Sequence, residues 1–166
     1  MNAKEMMSNM NKIKLMAVDA DEQTRRIEAA VARRAYEIFE RRGGMGWHEL
    51  EDWRKAESDV QSKLCFSLNT ADGSFRVGFD AARFEAGSVE VWTAPRQVTI
   101  CGKPVPHKRQ SEKAAPAYEG IVFRRIALRV EVEPCRAVAN VKRNFVEIRL
   151  PLIQQAYGQG STAQAA

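Results

Sequence analysis

Two hydrophobic rhythms divide the chain. From Thr24 onward Ile27, Ala30, Val31, Ala35, Ile38 and Phe39 return at three- and four-residue steps, with Arg and Glu opposite them. That period predicts an amphipathic helix with Thr24 as its N-cap and Gly43-Gly44 as its stop. Beyond the GGMG break, Leu50, Trp53, Ala56, Val60 and Leu64 mark a second, shorter stripe. Two such helices joined by a glycine turn form a helical hairpin, too small to bury a core alone, so it must pack on something else. Trp47 and Trp53 read as packing residues of this unit. The first 23 residues show no such period and hold five of the six methionines. They are expected to be a mobile arm in which Met6, Met7 and Met10 offer soft, adaptable apolar contact.

From about residue 63 the period falls to two. Strands are expected over 63–68, 74–79, 88–92, 97–101, 121–128, 136–142 and 145–150. Asp72-Gly73, Ala94-Pro95, the run from Gly102 to Pro106 and Glu133-Pro134 supply turns between them. Seven short strands with no helix among them predict a mainly β protein, an antiparallel β-sandwich behind an N-terminal α-helical hairpin. Residues 103–119 hold prolines and charges without alternation and are expected to form a long loop. The chain thus divides into an arm (1–23), a helical hairpin (24–62), a sandwich (63–151) and a flexible tail (152–166).

Composition narrows the chemistry. The 166 residues suit one domain with a small attachment, and 45% hydrophobic content can fill a core. The 26 basic and 21 acidic residues are interspersed, which is the pattern of a solvated surface. A nucleic-acid reading rests only on the net charge of +5 and the run His107-Lys108-Arg109, without a basic, aromatic-laced stripe. No apolar run has the length of a signal peptide or approaches the roughly 20 residues of a membrane span. Cys65, Cys101 and Cys135 are widely spaced and form no C-x-x-C. They are expected to be free thiols in a reducing cytoplasm, with no metal site.

Catalytic combinations are sparse. Cys101 and His107 are six residues apart, but alternation puts Cys101 on the face opposite Val98 and Ile100, and His107 in the loop. Asp80 and Glu85 flank what reads as an ordinary connection. Phosphate loops, nucleophile elbows and H-E-x-x-H are missing. The expectation is a protein that binds and is not an enzyme, with no cofactor.

The stretch AVANVKRNFVEIRLP at 137–151 adds specificity. Ala139, the turn pair Arg143-Asn144, then Phe145, Val146, Ile148, Leu150 and Pro151 resemble the terminal signature of the alpha-crystallin domain of small heat-shock proteins. Upstream, Gly120, Val122, Arg124, Ile126 and Leu128 are similar to that family's Gly-x-Phe-x-Arg strand, and Val132-Glu133-Pro134 to its Val-Asp-Pro. Val89, Val91, Val98, Ile100 and Gly102 take further places of the pattern, so the resemblance spans roughly 63–151. Departures are Asn144 for the turn glycine, Pro95-Arg96 where a glycine is usual, Arg129 for a proline, and no Ile-x-Ile tail after the last strand. Asn144 is expected to take the left-handed conformation the glycine would adopt. The helical hairpin resembles a short bacterial module of unknown function, through Arg-Ala-Tyr-Glu-Ile and Asp-Trp-x-x-Ala-Glu.

The resemblance implies an immunoglobulin-like sandwich of alpha-crystallin type. It also implies an ATP-independent holdase that binds unfolded or partly unfolded client proteins. The client-binding residues expected are Val91 and Trp92 on an edge strand, Val138 and Val141 on its neighbour, and Met6, Met7 and Met10. Val91 and Val141 also read as plain sandwich core, whereas Trp92, at the parity opposite Val91, is expected at the surface. Gly120, Arg124, Leu128, Pro134, Ala139, Asn144, Val146, Ile148 and Pro151 are expected to build the framework. The alternative is a co-chaperone-like module that recognises one folded partner. Without the Ile-x-Ile tail, a homodimer or small oligomer is expected.

Overall fold

Alternation of Val, Ile and Phe with polar residues builds the strands, and the computed structural model describes residues 13–106 and 118–153. The elements are β1 (Lys14–Ala17), α1 (Ala20–Arg41), α2 (Glu49–Val60), β2 (Phe66–Ala71), β3 (Ser74–Asp80), β4 (Glu90–Ala94), β5 (Gln97–Gly102), β6 (Val122–Ala127), β7 (Val138–Lys142) and β8 (Phe145–Pro151). They form two four-stranded sheets, β1-β4-β5-β6 and β2-β3-β8-β7, faced into a sandwich. All seven expected strands are present, with ends displaced by up to three residues. Every pairing is antiparallel except that of β1 with β4.

The alternation decides the core. Val77, Val91, Val98, Ile100, Val132, Val146, Ile148 and Leu150 are completely buried between the sheets. Burying each such side chain is worth about 1.5–3 kcal/mol. Two tight turns set registers within the second sheet. Asp72 and Gly73 both have positive φ, 51° and 67°, as a two-residue hairpin loop of the primed type requires. In the β7–β8 turn the left-handed residue is Arg143, at φ 56°, and not Asn144 as the sequence suggested. Asn144 instead presents its carbonyl to the Ala81 amide at 2.7 Å.

Strand β1 lies inside the stretch expected to be an unstructured arm. It is four residues long, too short for alternation to stand out, and it runs parallel to β4, from Lys14 beside Glu90 to Ala17 beside Thr93. Ile13 and Leu15 pack on the sandwich core, Met16 and Val18 on the opposite side. Helix α1 likewise starts earlier than expected. Its N-cap is Asp19, whose carboxylate accepts the Asp21 amide at 2.8 Å. Thr24 is one turn inside, its hydroxyl donating to the Ala20 carbonyl. The helix stops before Gly43, where the Gly44 amide reaches back to the Phe39 carbonyl.

The two helices run in opposite directions. Arg34 meets Asp59 at 2.7 Å, and eight residues on Arg42 meets Asp52 seven residues earlier, also at 2.7 Å. Their shared apolar side lies on the outer face of the first sheet, where Val31, Ala56 and Val60 bury Trp92, Cys101 and Phe123. A polar pin fixes this contact. The fully buried Gln23 accepts hydrogen bonds from Thr99 Oγ1 (2.7 Å) and Gln97 Nε2 (2.9 Å), and its own amide donates to the Val18 carbonyl. Strands β4 and β5 are therefore covered on both faces.

Candidate functional site

That double cover changes which residues can meet a partner. Val91 is 0% exposed and belongs to the sandwich core. Trp92 points the other way but is only 5% exposed, under Arg26 at 5.2 Å from its ring and beside Phe123. Neither side chain is available to a client at a strand edge: Val91 takes the core place that its alternation also allowed, and the expectation of a surface Trp92 is corrected. Nor is β4 an edge strand beside β7, because β1 lies outside it and β7 belongs to the other sheet. Residues 88–102 did carry a sign of this. VWTA and VTIC have no charge at either parity, as strands buried on both faces do.

The accessible apolar residues sit elsewhere. The second sheet ends in β2 on one side and β7 on the other, and neither has a further strand partner among the described residues. On β7, Val138 is 56% exposed and aligned with Arg149, while Val141 is half-buried against the core. Phe145 begins β8 beside it, half-exposed, its ring lying over Gly78 where a Cβ would come within 2.6 Å. On β2, Leu68 has the same parity as Phe66 and so points toward the sandwich interior. It is nonetheless exposed and stands apart from the packed core. These edges offer unpaired backbone groups next to apolar side chains.

A second apolar group lies at the tip of the helical hairpin. Tyr36, Met45, Trp47 and Leu50 are all exposed, and Trp47 is 99% so. The expectation that Trp47 packs inward is thus corrected. Three glycines with positive φ, Gly43, Gly44 and Gly46, carry the chain through this tip and hold Trp47 beyond the reach of either helix. Trp53 does pack within the hairpin, its indole nitrogen donating to Glu57.

The framework residues have identifiable jobs. Val146 and Ile148 are fully buried, and Leu128 is buried with its amide bonded to the Arg96 carbonyl. Pro134 opens a short 3-10 turn and its carbonyl accepts Thr93 Oγ1 at 3.2 Å. Pro151 accepts the Glu133 amide, and half-buried Ala139 packs at the core margin. Arg124 reaches across the open side of the sandwich to stack on Phe66 at 5.0 Å, joining β6 to β2. Gly120 lies against the Tyr118 ring, which leaves no room for a side chain.

Reactive chemistry is muted here. Burial, then the neighbouring Glu90 carboxylate, push the Cys101 thiol up to about 12, so it is no thiolate at neutral pH. Asp80 caps the 3-10 turn Ala81–Arg83 by accepting the Ala82 amide. Among the described residues no three His, Cys, Asp or Glu side chains converge to hold a metal, and no helix is long and apolar enough to cross a membrane. Met6, Met7, Met10 and the run His107-Lys108-Arg109 lie outside the described residues.

Comparison with known proteins follows the division into helices and strands. Residues 26–62 match the family described as "Protein of unknown function (DUF2934)". Among solved structures, the chain is similar to heat shock protein 16.0 from Schizosaccharomyces pombe, at 15% identity and a TM-score of 0.44, covering 61% of this chain and 82% of that one. A small heat-shock protein from Xylella fastidiosa aligns at 17% identity and TM-score 0.43 over 64% of this chain and 98% of that one. A small heat shock protein from Synechococcus phage S-ShM2 gives 16% and 0.40, over 63% and 100%. The family match falls on the helical hairpin, the part of the chain likened above to a short bacterial module of unknown function. No curated protein matches the chain in sequence.

Proposed function

We propose that the protein is an ATP-independent holdase of the small heat-shock type, capturing apolar segments of unfolding proteins. One observation carries this reading: apolar side chains stand uncovered beside the two open strand edges of the second sheet, Leu68 at β2 and Val138 with Phe145 at β7 and β8. An extended, partly unfolded chain presents unpaired backbone groups and alternating apolar side chains, and both find partners at such an edge. Each contact is worth only about 25 cal/mol per Å² of apolar area, so capture is spread over several weak sites and needs no nucleotide. The Met-rich segment around Met6, Met7 and Met10 supplies further adaptable contact. The test is light scattering of two unrelated heat-aggregating clients, with and without ATP. Protection without ATP, weakened in a Val138→Lys/Phe145→Lys variant, is expected; protection that appears only with ATP rejects the reading.

A second reading is favoured by the hairpin tip. Met45, Trp47 and Leu50 are exposed within six residues of one another at the tip, an arrangement that suits recognition of one folded partner through a few apolar anchors. It predicts no protection of unrelated clients and a single binding partner whose capture is lost in Trp47→Ser.

A further inference from the structure

Helix α1 is pinned to the first sheet near its start by Gln23, and farther along it leaves room beneath it. A cleft of about 750 Å³ opens there, within the range typical of small-molecule sites. Its floor is apolar and aromatic: Trp92, Cys101 and Phe123, all buried, with half-buried Tyr118 on one side. Its rim is cationic. Arg26, Arg33, Arg34 and Arg41 come down one stripe of α1, and Lys103 faces them from the end of β5.

The charges divide into those already used and those free. Arg26 is paired with Glu22, and Arg34 with Glu37 and Asp59. Glu90 accepts from Lys14 and from the Trp92 indole. Arg33, Arg41 and Lys103 have no carboxylate within ion-pair distance among the described residues, and Glu119 is the one rim carboxylate without a cation there. Arg26 and Arg34 lie with their guanidinium groups over Trp92 and Tyr118, at 5.2 and 4.8 Å from the ring centres. They brace the aromatic floor and leave the outer cations available. Arg33 and Arg41 are two turns apart, about 12 Å along the axis. The anionic part of a ligand therefore sits at the mouth and its apolar part lies inward.

We propose that this cleft binds a small organic anion, a molecule with an apolar body of aromatic size and a sulfonate, phosphate or carboxylate group. The apolar body lies against half-buried Tyr118 and exposed Ile121, with only the narrow uncovered edges of Trp92 and Phe123 beneath it. The anion is held by Arg33, Arg41 and Lys103, whose planar or compact cations suit such oxyanions. This site is separate from the strand edges and does not depend on the holdase reading.

The test uses the full chain and three probes: anilinonaphthalene sulfonate followed by its fluorescence, laurate as a carboxylate competitor, and inorganic pyrophosphate as an anion without an apolar body. The aryl sulfonate is expected to bind saturably and to weaken with added salt, and laurate to displace it. Pyrophosphate at equal concentration is expected to fail. Arg33→Glu/Arg41→Glu, two exposed positions without partners, should keep the wild-type melting temperature and lose at least tenfold in affinity. Trp47→Ser at the hairpin tip should keep the affinity. Unchanged binding in the double variant, loss of binding in Trp47→Ser, or displacement by pyrophosphate as effective as that by laurate overturns the proposal.

Discussion

Arg143 carries a backbone conformation that an L-residue adopts at a cost. Its φ of 56° closes the two-residue loop between Lys142 and Phe145. The left-handed region costs a non-glycine residue about 1–2 kcal/mol, and more where the side chain is β-branched. Arg143→Gly is therefore expected to melt at or above the wild-type temperature, and Arg143→Val to lose about 1–2 kcal/mol. Asn144→Val should change little, within about 0.5 kcal/mol. Equal melting temperatures for the Gly and Val variants at 143 would contradict this assignment. Gln23 is the other residue on which a large effect rests. Gln23→Leu keeps the volume but leaves Thr99, Gln97 and the Val18 carbonyl without their buried partner, a loss of about 2–3 kcal/mol. A urea midpoint shared with wild type would show that these bonds are replaced by water.

Among elements, the helical hairpin is held by Asp59 as well as by its apolar side. Asp59 accepts from Arg34 Nε and Nη2 and from Lys55 Nζ, at 2.7–2.8 Å. Its burial pushes the carboxyl pKa up, but the hydrogen bonds from Lys55 and Arg34 outweigh this and hold it below the ordinary value. A depressed carboxyl pKa gives stability that is present at neutral pH and is lost as pH falls through the folded value, below about 4. Asp59→Asn should thus cost about 1.5–3 kcal/mol at pH 7. The gap to wild type should narrow on acidification toward pH 3, read from urea melts at each pH. A constant gap would assign the loss to packing. The strands and both helices were legible because their periods extend over five or more residues. β1 was not, because four residues show no period and its partner strand is 76 positions away. For the same reason Trp92 was misplaced: alternation separates two faces but does not say that a helix covers the second. The exposed edges at Leu68 and Val138 follow from which strand lies last in a sheet, which is a matter of topology and not of local pattern.

At the scale of the whole molecule the two sheets differ in how their edges are managed. In the first sheet, β1 closes the side at β4, and the chain leaving α2 covers the start of β6, with the Ser62 amide on the Phe123 carbonyl at 2.9 Å. Among the described residues nothing comparable covers β2, the six-residue edge of the second sheet, where Leu68 is exposed. An open, partly apolar edge pairs readily with another strand, and a second copy of the chain competes at β2 with the client segments proposed for it, leaving the β7 edge for capture in the dimer. Such pairing closes after two copies when each edge meets its own equivalent, which favours a dimer over a large particle. Leu68→Lys places a charge at that edge without disturbing the buried core, so stability should stay within about 0.5 kcal/mol of wild type. Light scattering after size exclusion at micromolar concentration should then show a dimer for the wild-type chain and a monomer for Leu68→Lys. A discrete particle of about twelve or more subunits, or a dimer that survives the lysine, would place the contact on another surface, with the exposed tip at Trp47 the next to substitute.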